Sequence, residues 1–136
     1  MIAFTAVIIP QIDTELGIPH VTGIYHTFDG SIVQQLVGQT ITILDDQEPI
    51  GTIKEAWVNE HKQVCVFGLV NRDTERFNSA VPIYLIYVED ANSIKHDISI
   101  KGVALCDLPY WPETIIIHWE TMYLNKKIIR VLSRLY

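Results

Sequence analysis

Five histidines, two cysteines and one serine in an apolar run are the side chains of this 136-residue sequence with the widest chemical reach. His20 and His26 stand six residues apart, an even spacing that puts two residues on one side of an extended strand. With Asp29 they supply three metal-competent donors. No further His, Cys or Asp pairing reinforces that set, so no metal and no cofactor are expected. His61 falls in Asn59-Glu60-His61-Lys62, which reads as an exposed hairpin loop. His118 sits in Ile115-Ile116-Ile117-His118-Trp119, where a hydrogen-bonded strand histidine is the expectation. Cys65 and Cys106 each lie inside an apolar run and read as buried free thiols.

Acyl-transfer chemistry needs a nucleophile with a base beside it. The sequence has no Gly-x-Ser-x-Gly turn, no cysteine next to an evident base and no glycine-rich phosphate loop. Asp45, Asp46 and Glu48 crowd into one polar turn, where solvation accounts for them. No catalytic residue is assigned, and a non-enzymatic protein is the expectation.

The elements that would carry these residues are short apolar runs separated by turn chemistry. Ile, Val and Thr number 21, 12 and 10, against only 6 Ala. Side chains branched at Cβ lose rotamer freedom in helices and pack well on pleated sheets. The pattern predicts one mainly β domain over 1–136, an antiparallel barrel or sandwich with one or two short helices. Strands are expected at Ile2–Ile9, Val21–His26, Thr40–Ile43, Ile50–Val58, Gln63–Val70, Ala80–Val88, Ile98–Cys106 and Thr114–Trp119. Ser31 is placed to cap a helical turn running through Val37, with Gly38 as the residue after its end. The run Ala80–Val88 is apolar enough to be covered on both faces, while Pro82 confines its start to an edge or a bulge. Residues 71–78 form the longest polar stretch and read as a mobile surface loop. Ile128, Ile129, Val131, Leu132 and Leu135 fall at helical spacings, which predicts a C-terminal amphipathic helix over Asn125–Tyr136.

A formal charge of −6 disfavours a nucleic-acid partner, which phosphate contacts would require to be basic. Lys126, Lys127, Arg130 and Arg134 make one basic cluster, read as the solvated face of the terminal element. No apolar run approaches the ~18 residues of a membrane span, so no membrane partner is expected. The apolar start lacks a basic region and stops at Pro10, so it reads as a strand rather than a signal peptide, for a protein made in a cytoplasm. What remains is contact with other proteins. The aromatics Tyr110, Trp111 and Tyr123 read equally as exposed anchors, since Tyr and Trp dominate interface hot spots, or as a structural lid over the barrel end. Ile128, Leu132, Leu135 and Tyr136 would supply an apolar docking face on the terminal helix, and the N-terminal strand would add to a neighbour's sheet edge. The apolar inventory is large for one small domain, which favours a homo-oligomer.

Across roughly residues 38–106 the chain resembles a known family. Pro49-Ile50-Gly51-Thr52-Ile53-Lys54-Glu55-Ala56 followed by Val64-Cys65-Val66-Phe67-Gly68 is similar to the hairpin rhythm of tailed-phage prohead (capsid maturation) proteases. Ile98-Ser99-Ile100-Lys101-Gly102 is similar to the segment that holds their serine nucleophile. The family places a histidine base shortly before Pro-Ile-Gly, whereas here Thr42–Glu48 contains none. The resemblance therefore implies a non-catalytic phage relative: a bacteriophage virion structural protein such as a capsid decoration (cement) protein, binding the major capsid protein or other virion proteins. Two rivals follow. One is a prohead-type serine protease that uses Ser99 with His26 or His96 recruited as base. The other is a small phage-encoded inhibitor that binds a host protein or a nucleotide signal through residues 71–78. A fluorophosphonate probe is expected to leave Ser99 unlabelled; labelling that disappears in Ser99→Ala would restore the protease.

Overall fold

The computed structural model describes residues 1–18, 25–44, 46–72, 74, 77–88, 96–123 and 126–133. The elements are β1 (Ile2–Ile9), β2 (Glu15–Gly17), β3 (Tyr25–Thr27), α1 (Ile32–Leu36), β4 (Thr40–Ile43), β5 (Gly51–Val58), β6 (Val64–Val70), β7 (Ser79–Val88), β8 (His96–Cys106), β9 (Ile116–Tyr123) and β10 (Lys126–Ser133). The fold is mainly β. Eight strands form one sheet in the order β10-β9-β1-β6-β5-β4-β8-β7, and β2 and β3 make a separate small ribbon.

The sheet is mixed, which corrects the expectation of a purely antiparallel one. β4 and β8 run parallel, with Thr40 opposite Gly102 and Ile43 opposite Leu105. Parallel neighbours need a long crossover, and here the whole of β5, β6 and β7 intervenes along the chain. The sheet curls into a half-barrel that brings β7 near β1. At the start of β7, the Ile116 N–H donates to the Asn78 carbonyl (2.8 Å), tying the start of β9 to the start of β7 across the curl.

β1 lies in the middle of this arrangement. Six of its eight residues are buried, on both faces, and its two edges pair with β6 and β9. It therefore has no edge to lend a neighbour, contrary to the sequence-based expectation. On the concave side Phe4 meets Trp119 with ring centroids 5.5 Å apart, over Ile41, Ile53, Val66 and Leu105. Burying side chains of this size contributes roughly 1.5–3 kcal/mol each. The indole N–H of Trp119 is buried with no hydrogen-bond partner among the described residues, which offsets part of that gain.

Local turn chemistry follows the sequence closely. Val37 ends α1 and Gly38 follows at φ +89°. Ser31 stands at the helix start without a side-chain capping bond; instead the Asp29 carboxylate accepts from its N–H (2.8 Å) and its hydroxyl. Those two bonds hold the Asp29 carboxyl below its ordinary value. The β5–β6 hairpin is organised by Asn59, whose side-chain carbonyl accepts from His61 N–H (2.9 Å) and Gln63 N–H (3.0 Å). His61 is exposed there, as expected.

The C-terminal helix is corrected outright: Lys126–Ser133 is a strand. Ile129, Arg130, Val131 and Leu132 pair with Met122, Thr121, Glu120 and Trp119 of β9. The far edge of β9 needed a partner, and Ile128, Ile129 and Val131 are β-branched, so the sheet overrode a helical spacing that short apolar runs also mimic. Residues 71–78 are not wholly a surface loop either, because Thr74 and Phe77 are buried; Asp73, Glu75 and Arg76 lie outside the described residues. β7 is an edge strand with a register shift after Ile83, as Pro82 predicts, yet Ile83 and Leu85 are exposed, so its two faces are not both covered.

Gly51 shows how tightly the strands are set. A Cβ built there would lie 1.9 Å from the Leu69 carbonyl oxygen, a backbone atom that cannot swing away. Gly51→Ala is expected to cost about 3 kcal/mol through forced backbone movement. Gly30→Ala, where nothing lies within 4 Å, should stay within about 0.5 kcal/mol. Urea unfolding midpoints of the two variants check the contrast.

Candidate functional site

The connection from β8 to β9 carries the aromatic residues singled out from the sequence. Asp107 to Ile115 has Pro109 and Pro112 fixing φ on either side of Tyr110-Trp111. Buried Thr114 then folds back: its N–H (3.0 Å) and its hydroxyl (2.6 Å) both donate to the Trp111 carbonyl. The segment is thereby held as a rigid turn against the end of the half-barrel.

Trp111 is buried, which corrects its reading as an exposed anchor. It belongs to a chain of rings contributed by distant parts of the sequence. His26 stands edge-on to Phe28 (4.6 Å between centroids), Phe28 approaches Tyr84 (6.2 Å), Tyr84 meets Trp111 edge-on (6.1 Å), and Trp111 meets Tyr110 (6.4 Å). The Tyr84 hydroxyl is buried without a hydrogen-bond partner among the described residues, and burial pushes its ionisation far upward. Tyr84 is thus a packing residue and not a titrating one at any physiological pH.

Side chains emerge into solvent at the outer end of this chain. Tyr110 is 56% exposed, Tyr25 on β3 is 55% exposed, and Leu108 is 90% exposed. A Cβ at Gly17, on the partner strand of Tyr25, would lie 3.6 Å from the Tyr25 ring and 3.8 Å from the Tyr110 hydroxyl. The two tyrosines therefore flank one bare stretch of backbone. The arrangement can stack, bury apolar area and exchange phenol hydrogen bonds. Sequence reasoning found Tyr110 and missed Tyr25 and Leu108. The signal for Leu108 was present, an apolar residue between an aspartate and a proline in a turn.

Ile128 and Leu132 lie on β10, the opposite edge of the sheet from β7. Leu135, Tyr136 and Arg134 lie outside the described residues, as does His20. Of the histidine–aspartate metal set His26 and Asp29 are described, and among the described residues no three His, Cys, Asp or Glu side chains converge.

Ser99 lies on β8 opposite Leu85, and its neighbour Ile100 lies opposite Tyr84. Residues directly opposite in an antiparallel pair point to the same side, and successive residues alternate. Ser99 thus shares the Leu85 face, whereas Tyr84 turns the other way, toward Phe28 and the ring of His26 that packs on it. The ribbon itself stands between Ser99 and His26. A shallow groove of ≈ 360 Å³ beside Thr40, Pro49, Gly51, Lys54 and Asn71 occupies the Pro-Ile-Gly segment. Its lining includes the cationic Lys54 side chain and, among the described residues, no carboxylate or histidine side chain.

No protein-family model matches the chain, and comparison with curated proteins and with solved structures gives no match.

Cys65 and Cys106 are buried free thiols, as expected. Burial pushes Cys65 up to about 11, against a weaker opposing hydrogen bond from the Asn59 side-chain amide (3.6 Å to Sγ). Cys106 is raised by burial and by the neighbouring Asp107 carboxylate. In the unfolded chain Cys65 ionises near the ordinary thiol value of 9.0. Between that pH and about 11 the unfolded state has lost a proton that the folded state keeps, so stability falls as pH rises through this window. A Cys65→Ala variant should show a flatter decline of thermal midpoint across it, and native-state alkylation of Cys65 at pH 8 should be far slower than in urea.

Proposed function

We propose that this domain works by contact with other protein chains, as a non-enzymatic structural component of a bacteriophage virion, and that Leu108, Tyr110 and Tyr25 form its contact face. One observation carries the reading. Leu108 is 90% exposed beside two half-exposed tyrosines, and this face is backed by a buried chain of rings and a proline-flanked turn. Apolar and tyrosine side chains presented by a backbone already fixed in a turn leave less ordering to be done on binding, which favours an interface hot spot. The net charge of −6 suits a protein surface better than a phosphate backbone.

The virion assignment rests on the middle of the chain, where the Pro49-Ile50-Gly51 hairpin and the Ile98–Gly102 segment are similar to prohead proteases without their histidine base. A decoration protein on a capsid lattice is the role in that setting which needs a binding face and no active site. Its binding partner would be the major capsid protein or another virion protein.

Co-sedimentation with purified capsids of the virus that carries the gene tests this. Binding at a fixed ratio to capsid protein is expected. The double variant Leu108→Asp, Tyr110→Ala should lose about tenfold or more in affinity, with its circular dichroism spectrum retained because neither side chain is in the buried core. Capsid binding unaffected by the double variant would remove this face from the account.

A further inference from the structure

The β7–β8 hairpin reaches beyond the rest of the sheet. On its inner edge, β8 pairs with β4 only over Gly102–Leu105. On its outer edge it pairs with β7 along its whole length, from Cys106 opposite Ser79 to His96 opposite Val88. The stretch Ile83–Val88 with His96–Lys101 is therefore a two-stranded ribbon with no further strand partner among the described residues. The register shift at Ile83/Tyr84, where Lys101 is the extra residue, marks the point at which it leaves the half-barrel.

One face of the ribbon is anchored: Tyr84 packs on Phe28 and Trp111, and Ile100 is buried. The other face bears Leu85, half exposed, and Ile83, more than a third exposed. Two strands alone are marginal in water. Proteins protect an open edge with charges, prolines or a short strand. β7 is ten residues long and has no charged residue, and its one proline, Pro82, lies at the root of the ribbon rather than along its free part.

We infer that the Ile83–Val88 edge pairs antiparallel with the same edge of a second copy of this chain, joining two half-barrels through one continuous sheet. The sequence of the edge is what selects a second copy. Set antiparallel against itself, Ile83-Tyr84-Leu85-Ile86-Tyr87 is self-complementary, each aromatic residue falling opposite an aliphatic one. About a two-fold axis through Leu85, Ile83 falls opposite Tyr87 of the second copy, Tyr84 opposite Ile86, and Leu85 opposite Leu85. Every cross-strand pair is aliphatic with aromatic or aliphatic with aliphatic, the combinations that stabilise antiparallel neighbours. No like charges meet across the axis. An isologous contact of this kind closes on itself and stops at two copies. The inference does not depend on what binds Leu108 and Tyr110, since those residues lie on the β8–β9 connection.

Light scattering on the full chain tests it. The wild type is expected at twice 15.5 kDa, and Leu85→Lys at the monomer mass with its circular dichroism and thermal midpoint retained. Leu85→Cys should form an inter-copy disulfide on mild oxidation, because the axis brings that position against itself, while Ile83→Cys should not. Cys65 and Cys106 are buried and do not compete. A wild type that stays monomeric at its highest soluble concentration overturns the inference, as does a dimer that survives Leu85→Lys. Equal cross-linking at both cysteine positions overturns the register. A dimer dissolved by Leu108→Asp but not by Leu85→Lys assigns self-association to the aromatic face and removes it from β7; a dimer that persists without capsid binding leaves this inference standing and the virion role refuted.

Discussion

The two-sided pairing of β1 governs what the rest of the molecule can do. A strand buried on both faces and hydrogen-bonded along both edges has no freedom of register, since a slip of one residue would exchange Phe4, Ala6 and Ile8 with Ala3, Thr5 and Val7 on opposite faces. β6 and β9 are fixed by it directly, and β5 and β10 through them. The open edges are thereby displaced to the two ends of the order, β10 and β7. The edges of the sheet open to pairing are those of these two outer strands.

The chain of rings from His26 to Tyr110 does a related job at the barrel end. It ties the small β2–β3 ribbon, the β7–β8 hairpin and the β8–β9 connection into one block. Tyr84 is the shared element: it faces the rings with one side of β7 while Leu85 faces out with the other. The anchored face of the ribbon and its open face are consequences of one alternating strand.

Much of this was legible from local chemistry. β1 and β4 have the bounds that their apolar runs predict, and the Asn59–Lys62 hairpin, Gly38 and the edge position imposed by Pro82 follow from turn and backbone rules. What the sequence withheld are facts about neighbours distant along the chain. The parallel β4–β8 pair depends on where three later strands go. Trp111 sits between two prolines beside an exposed tyrosine, and only the arrival of Phe28 and Tyr84 makes it a core residue. Thr74 and Phe77 are buried inside a polar stretch for the same reason. Lys126–Ser133 had the spacing of a helix, and the vacant edge of β9 decided otherwise. Of the contact face, Tyr110 could be named from composition; Tyr25 and Leu108 required knowing which turns meet.

The pairing of β1 also sets a timetable. Its partners are Val64–Val70 and Ile116–Thr121, which leave the ribosome long after it does. At roughly 5–20 residues per second, an apolar segment waits seconds for β6 and about twice as long for β9. Loops of that span make such contacts slow to form once the chain is free. During the interval Ile2–Ile9 is a naked β-prone stretch, the kind of segment that chaperones shield and that crowded translation punishes. The strand that is most thoroughly enclosed in the finished molecule is the one most exposed to mishap while it is being made.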